Sequence, residues 1–242
     1  MTIKAVLFDV GGPLDTEVIH EWLFDVHIRE ALQAEGVRVD DARFAEANRW
    51  AVDSFAWNAY EAIVWRLSGG DADLSRRVMQ RVIGRNDERR VARDGIELRD
   101  GVPELLKSLH ERGLRIGLAA NQPQAILEAL DRRGVGRYFD HREVSGTHGY
   151  RKPDVRLFLR ACDDLSVAPQ ECIMVGDRID NDIVPARWLG MRAILFRTGR
   201  HIEQQARSWR EVPDAEVRDV AELTPAIDAI VDAEASADTA DR

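Results

Sequence analysis

Short apolar runs recur along this chain, and each stops abruptly at a polar or glycine-rich turn. Ile3 to Phe8 ends at Asp9, Leu114 to Ala119 is followed by Ala120-Asn121, and Cys172 to Val175 ends at Gly176-Asp177. Arg192 to Phe196 is a fourth run, and Glu143 to Ser145 reads as a weaker one. Runs this brief, nearly continuously apolar instead of apolar only at alternate positions, fit strands buried on both faces of a parallel sheet. Helical patterns separate them. Val102, Leu105, Leu106 and Leu109 repeat at helical spacing with Pro103 in a first turn, and Ala125 to Arg133 and Val155 to Asp164 follow. Ile183 to Leu189 is the last and stops at Gly190, a residue suited to a left-handed helix end. Strand–helix alternation predicts an α/β fold, a doubly wound, Rossmann-like parallel sheet whose ligands bind beyond the carboxyl ends of its strands.

One stretch breaks the alternation. From about 16 to 96 the chain reads as helix without a convincing strand. Val18, Ile19, Trp22, Leu23 and Val26 share one face up to Gly36; a second helix runs from Asp41 towards Leu67, and a third from about Asp73 to Ile83. The expected organisation is a sheet core of residues 1–15 and 97–232, an all-helical insertion of 16–96 that forms a separate bundle, and a disordered, small and acidic tail of 233–242. Trp22, Trp50, Trp57 and Trp65 all fall in the insertion, and aromatics at helical spacing are expected to form its core.

With 242 residues the chain is long enough to bury a large core. Its formal charge of -9 argues against a nucleic-acid surface, which needs concentrated positive charge. The basic stretch Arg85 to Arg93 contains Asp87 and Glu88 and reads as a solvated helix face. The apolar run at the start is too short for a signal sequence, and no later run approaches a membrane span. Cys162 and Cys172 fit buried thiols of a reducing compartment, so a cytoplasmic protein with no membrane partner is expected. Oligomeric state is not legible.

The polar residues at the strand ends should gather along one sheet edge. Asp9, held open by Gly11-Gly12, could serve as nucleophile or metal ligand, or could cap a turn. Asp177 repeats the arrangement, and Asp182 follows at a helix start. Carboxylates on adjacent strand ends suit a hard cation such as magnesium, although Asp182 would also complement a helix dipole and Asp180 reads as a helix cap. Lys152, in Gly149-Tyr150-Arg151-Lys152-Pro153-Asp154, could neutralise phosphate charge and keep Asp9 ionised.

The order and strand-end placement of these four motifs resemble the haloacid dehalogenase-like hydrolase superfamily over essentially residues 1–230, and the helical insertion of 16–96 resembles that family's cap. The resemblance implies that Asp9 is the nucleophile that becomes an aspartyl phosphate. It implies a magnesium site of Asp9, the backbone carbonyl of Gly11, Asp177 and Asp182. Lys152 then matches the lysine of the third motif, and phosphate is bordered by Ala120, Asn121 and Lys152. Two positions depart from the phosphatases of that family. Gly11 stands where an Asp usually protonates the leaving oxygen, and Ala120 where a Ser or Thr hydroxyl usually meets phosphate. Pro13 also replaces the usual Thr. Glu17 and His20 are possible substitute acids, with Asp15 and His148 further candidates by sequence proximity. The expected function is magnesium-dependent hydrolysis of a small phosphate monoester. The alternatives are a weakly active or non-catalytic protein that binds a phosphorylated metabolite or a protein partner, and a carbon–halogen hydrolase.

Overall fold

The computed structural model describes residues 2–85, 87 and 96–240, and the chain divides into two compact units, Met1–Thr16 with Ile96–Arg242, and Glu17–Gly95. The stretch read as a basic helix face, Arg85 to Arg93, lies largely outside the described residues.

The first unit is built on five parallel strands, β1 (Ala5–Phe8), β2 (Arg115–Leu118), β3 (Cys172–Gly176), β4 (Arg192–Phe196) and β5 (Ala215–Val217). Their order across the sheet is β2-β1-β3-β4-β5. β1 lies between β2 and β3 with Phe8 opposite both Leu118 and Val175, so the residues that follow all three strands emerge side by side. The chain fills one side of β1 and then crosses to the other. That reversal opens a crevice at the carboxyl ends of β1 and β3, the place where doubly wound sheets hold ligands. All four residues of β1 are buried, which explains why the strand is apolar at consecutive positions. Phe8, Ile116, Leu118, Ile173, Val175, Ile194 and Phe196 lead one continuous core.

Sheet-forming segments alternate with helices, of which α5 (Val102–Glu111), α6 (Ala125–Arg132), α8 (Val155–Leu165) and α9 (Val184–Trp188) match the helical patterns. Glu143 to Ser145 is not a strand. Ser145 opens a four-residue helix, α7 (Ser145–His148), and the nearest bridge is an isolated one between Gly117 and His141. The segment is held by loops instead: Ser145 N–H donates to Ala120 O at 3.0 Å, and a Cβ on Gly146 would come within 2.7 Å of the Gln124 nitrogen. The residues at 233–240 also differ from the sequence expectation of disorder. Helix α10 (Leu223–Ala240) continues through them, and Glu234 is buried where Arg192 donates to it at 2.7 Å. A small, acidic composition hid a helical segment that the Glu234–Arg192 ion pair ties to β4.

The second unit contains α1 (Val18–Ala34), α2 (Asp41–Asp53), α3 (Ala59–Leu67) and α4 (Ala72–Gly84). The helix expected from Asp41 to Leu67 is two helices. Phe55 takes a left-handed backbone, φ 56°, and the Asn58 side chain accepts from the Tyr60 and Glu61 N–H groups to start α3 afresh. The core of this unit is aliphatic, formed by Ile28, Leu32, Ile63, Val64, Leu67, Val78 and Val82 around Phe44. The tryptophans are not its centre: Trp22 and Trp57 are 61% and 65% exposed, and Trp50 and Trp65 are also exposed. Helical spacing placed them on shared faces but could not identify which face was inward. No described helix is long and apolar enough to cross a membrane.

Candidate active site

Asp9 is the first residue beyond β1. Its N–H still donates to Val175 O at 2.9 Å, so the strand pairing delivers the carboxylate directly to the crevice. Oδ1 then accepts from the Val10 N–H at 2.8 Å. The turn beyond it depends on Gly12, whose φ is 85° and whose Cβ, if present, would sit 2.7 Å from the Cβ of Asp177. Only glycine lets this loop lie against the neighbouring carboxylate. The left-handed requirement falls on Gly12 and not on Gly11.

Lys152 is fully buried and bridges two acids. Its Nζ lies 2.6 Å from Asp9 Oδ2 and 2.6 Å from Asp182 Oδ1. Burial by itself disfavours the ammonium, but the adjacent Asp182 and Asp9 charges prevail and hold Lys152 above the usual lysine range. Burial pushes the Asp182 carboxyl up to about 6; Lys152 opposes that rise, and the nearby Asp9 adds to it.

Asn121 fixes the backbone of the lysine. Its Oδ1 accepts from the Lys152 N–H at 2.8 Å, and its Nδ2 donates to Lys152 O at 3.1 Å. The carboxamide is therefore committed to the lysine loop, and the sequence reading of Asn121 as a phosphate-bordering residue leaves only its main chain for that task. Ala120 sits in the buried core with no exposed surface.

Asp177 is the first residue beyond β3. Asp182 lies in a wide helical turn, Ile179–Ile183, that returns it beneath Asp177. Gly176 leaves room for this return, since a Cβ there would fall 2.3 Å from Asp182 Cγ. Asp9, Asp177 and Asp182 each offer a carboxylate oxygen, all within 4.8 Å of one another. An all-carboxylate set of this kind fits a hard divalent cation, which prefers oxygen and keeps part of its water. Within the set, Asp182 already accepts from Lys152 through Oδ1 and from the Arg178 N–H, at 3.0 Å, through Oδ2. It anchors the lysine, while Asp9 and Asp177 stand at the strand ends.

The substitute acids have other surroundings. Asp15 Oδ1 accepts from the Glu97 N–H at 3.0 Å, and His148 Nδ1 from the Tyr150 N–H at 3.1 Å. Glu17 and His20 belong to the second unit: Glu17 precedes α1 with a left-handed φ of 54°, and the His20 ring meets the edge of Phe24 at 5.0 Å. Sequence reasoning overlooked Arg99, whose guanidinium donates to Gly12 O and, at 2.6 Å, to Thr198 Oγ1, strapping the glycine turn to the loop after β4. It also gave Asp180 a capping role. Asp180 instead accepts from Arg178 at 2.5 Å and from Gln204 at 3.1 Å.

The family is defined by a match to the haloacid dehalogenase-like hydrolase model over residues 3–190. The chain belongs to that family. Among curated relatives it is 34% identical over 120 residues to a glyceraldehyde 3-phosphate phosphatase of Methanopyrus kandleri, covering 49% of this chain and 51% of that one. It is 32% identical over 159 residues to a phosphoserine phosphatase of Thermus thermophilus, covering 55% and 62%. The chain thus spans between about half and three fifths of the length of these relatives. A HAD phosphatase structure from Thermococcus onnurineus is similar over 93% of this chain and 98% of that one, with a TM-score of 0.57 and 25% identity.

Proposed function

We infer that this protein hydrolyses a small phosphate monoester with magnesium, through a phosphoryl group carried on Asp9. The observation that carries the reading is the buried Lys152 ammonium 2.6 Å from both Asp9 and Asp182, beside Asp177. This charge pattern suits an anionic substrate brought against an anionic nucleophile. Magnesium held by Asp9, Asp177 and the Gly11 carbonyl, with Asp182 supporting, would offset phosphate charge. An Asp9 oxygen attacks phosphorus, and the ester P–O bond breaks with its electron pair leaving on the departing oxygen. Water then attacks the same phosphorus, releasing inorganic phosphate and restoring the carboxylate. Lys152, 2.6 Å from Asp9, lowers the charge that the phosphoryl oxygens meet. The insertion, expected from the sequence at residues 16–96, would act as the cap that selects the substrate.

The direct test of the metal site is Asp177→Ala. Magnesium affinity, read by calorimetry, should fall below detection while the circular dichroism and melting temperature stay close to those of the unsubstituted protein. Retained affinity would remove Asp177 from the site.

Gly11 and Ala120 bear on which esters are turned over. With no carboxyl side chain at 11, a leaving oxygen receives no proton from that position, and general acid–base assistance is usually worth about 10²–10⁴-fold. Acyl and aryl phosphates, whose leaving groups need no proton, should react faster than alkyl phosphates. Because Gly11 is free of a left-handed requirement, Gly11→Asp should fold and raise alkyl phosphate turnover by about 10²-fold. Ala120→Ser should add a smaller gain. A folded, magnesium-binding Gly11→Asp protein with no gain on any alkyl ester would favour the second reading, a protein that binds a phosphorylated metabolite without efficient turnover. Magnesium-independent release of halide would instead favour the carbon–halogen reading.

A further inference from the structure

Beyond the motif residues, a hydrogen-bonded chain runs from the edge strand β5 to the carboxylate cluster, and its centre is Gln204. This side chain is 1% exposed. Its Oε1 accepts from the Ile179 N–H at 2.7 Å, and its Nε2 donates to Asp180 Oδ1 at 3.1 Å. Asp180 in turn holds the Arg178 guanidinium, with Nη2 to Oδ2 at 2.5 Å. The Arg178 main chain then grips Asp182 from both sides: Arg178 N–H donates to Asp182 Oδ2 at 3.0 Å, and Asp182 N–H donates to Arg178 O at 2.9 Å. Asp182 passes the chain on to Lys152 and Asp9.

Gln204 is itself fixed. Its carbonyl oxygen accepts from Arg197 Nη1, and the rest of that guanidinium is paired with Glu216 of β5 through Nε and Nη2, each at 2.9 Å. Ile179 opens the wide turn of Ile179–Ile183, so its N–H, like those of any first helical turn, has no partner within the element, and a buried carboxamide can accept that N–H and donate to an acid at once. Without it, the Ile179 N–H would be buried and unsatisfied, a state that proteins avoid.

We propose that Gln204 is a positioning residue for the cation site: through Ile179 and the Asp180–Arg178 pair it sets the turn that carries Asp177 and Asp182. The inference rests on the reading of this site as one that holds magnesium. It assigns a role in cation affinity to a residue more than twenty positions beyond the last motif. Outer residues that orient carboxylate ligands typically change metal affinity by about 10–100-fold when removed.

The experiment is calorimetric titration of the full chain with magnesium alone. Gln204→Met, which keeps length but has neither donor nor comparable acceptor, should weaken magnesium binding about tenfold or more. Asp180→Asn keeps the shape and breaks the next step of the chain, so it should weaken binding comparably and carries the test if Gln204→Met does not fold. The double variant should be no weaker than the poorer single, because both break one chain. Ile227→Ala, a fully buried position on α10, serves as the control: it should lower the melting temperature and leave magnesium affinity unchanged. Folded Gln204→Met and Asp180→Asn proteins that bind magnesium as tightly as the unsubstituted chain would overturn the inference and leave the site reading intact. A loss of affinity in Ile227→Ala equal to theirs would overturn it as well, reducing Gln204 to general stability. Absence of magnesium binding in the unsubstituted chain would overturn the site reading itself.

Discussion

Asp9→Asn should abolish ester hydrolysis, with turnover lowered by about 10⁴-fold or more, because the amide is a poor nucleophile and no described carboxylate shares its position. The fold should survive. Asp9 stands at the solvent-reaching end of β1, its main chain is bonded to Val175, and asparagine keeps the same shape. The variant also leaves Lys152 beside Asp182 at 2.6 Å, so the ammonium remains paired. Steady-state assay against an aryl phosphate, with the melting temperature recorded on the same preparation, checks both parts. Residual activity above about one hundredth of the starting rate would mean that another group attacks phosphorus.

Lys152→Met should act on stability as strongly as on rate. Removing the cation leaves Asp182, fully buried, close to Asp9 without the ammonium that bridges the two. Breaking a buried ion pair by deleting one partner costs roughly 3–5 kcal/mol. The pH dependence follows from the direction of the shift. The Asp182 carboxyl is already raised to about 6, and losing Lys152 raises it further. A carboxyl raised in the folded state favours folding while protonated and weakens it as pH climbs through the raised value. The melting temperature of Lys152→Met, measured without magnesium, should therefore lie far below that of the unsubstituted protein at pH 8. The gap should narrow as pH falls towards 5. Lys152 itself, held above its ordinary range, stabilises the unsubstituted protein across that whole window and loses its effect only in strong alkali. A gap that does not change between pH 8 and pH 5 would contradict the charge argument.

The fold and the central cluster were legible because their cause is local. A strand buried on both faces must be apolar at consecutive positions, so Asp9 and Asp177 stand out where each run ends, and parallel pairing brings them to one edge. The remaining features depend on direction or on distance along the chain. β5 has three residues, Ala215, Glu216 and Val217, too few for any period. Trp22 and Trp57 lie at helical spacing, but spacing does not say which face is buried. Asn121 was found by its place after β2, whereas the turn of its carboxamide onto Lys152 arises from a loop thirty-one residues on. Gln204 has no sequence signal, since its partners are the amide of Ile179 and the side chain of Asp180, in a turn whose geometry is not encoded in a spacing.

On the proposed reading, phosphoryl transfer runs through Asp9 with magnesium. Gly11 supplies no side chain to activate the hydrolytic water, so the second half-reaction should lag behind the first. Rapid mixing of an aryl phosphate with the magnesium-loaded protein tests this most directly, followed by acid quench and mass spectrometry of the peptide that contains Asp9. The expected result is a burst of aryl alcohol close to one equivalent per chain, a phosphoryl adduct on Asp9, and loss of both on chelation of magnesium or in Asp9→Asn. Steady hydrolysis with neither burst nor adduct in the unsubstituted protein and in a slow-turnover regime, or an adduct that forms equally well without magnesium, would contradict the account.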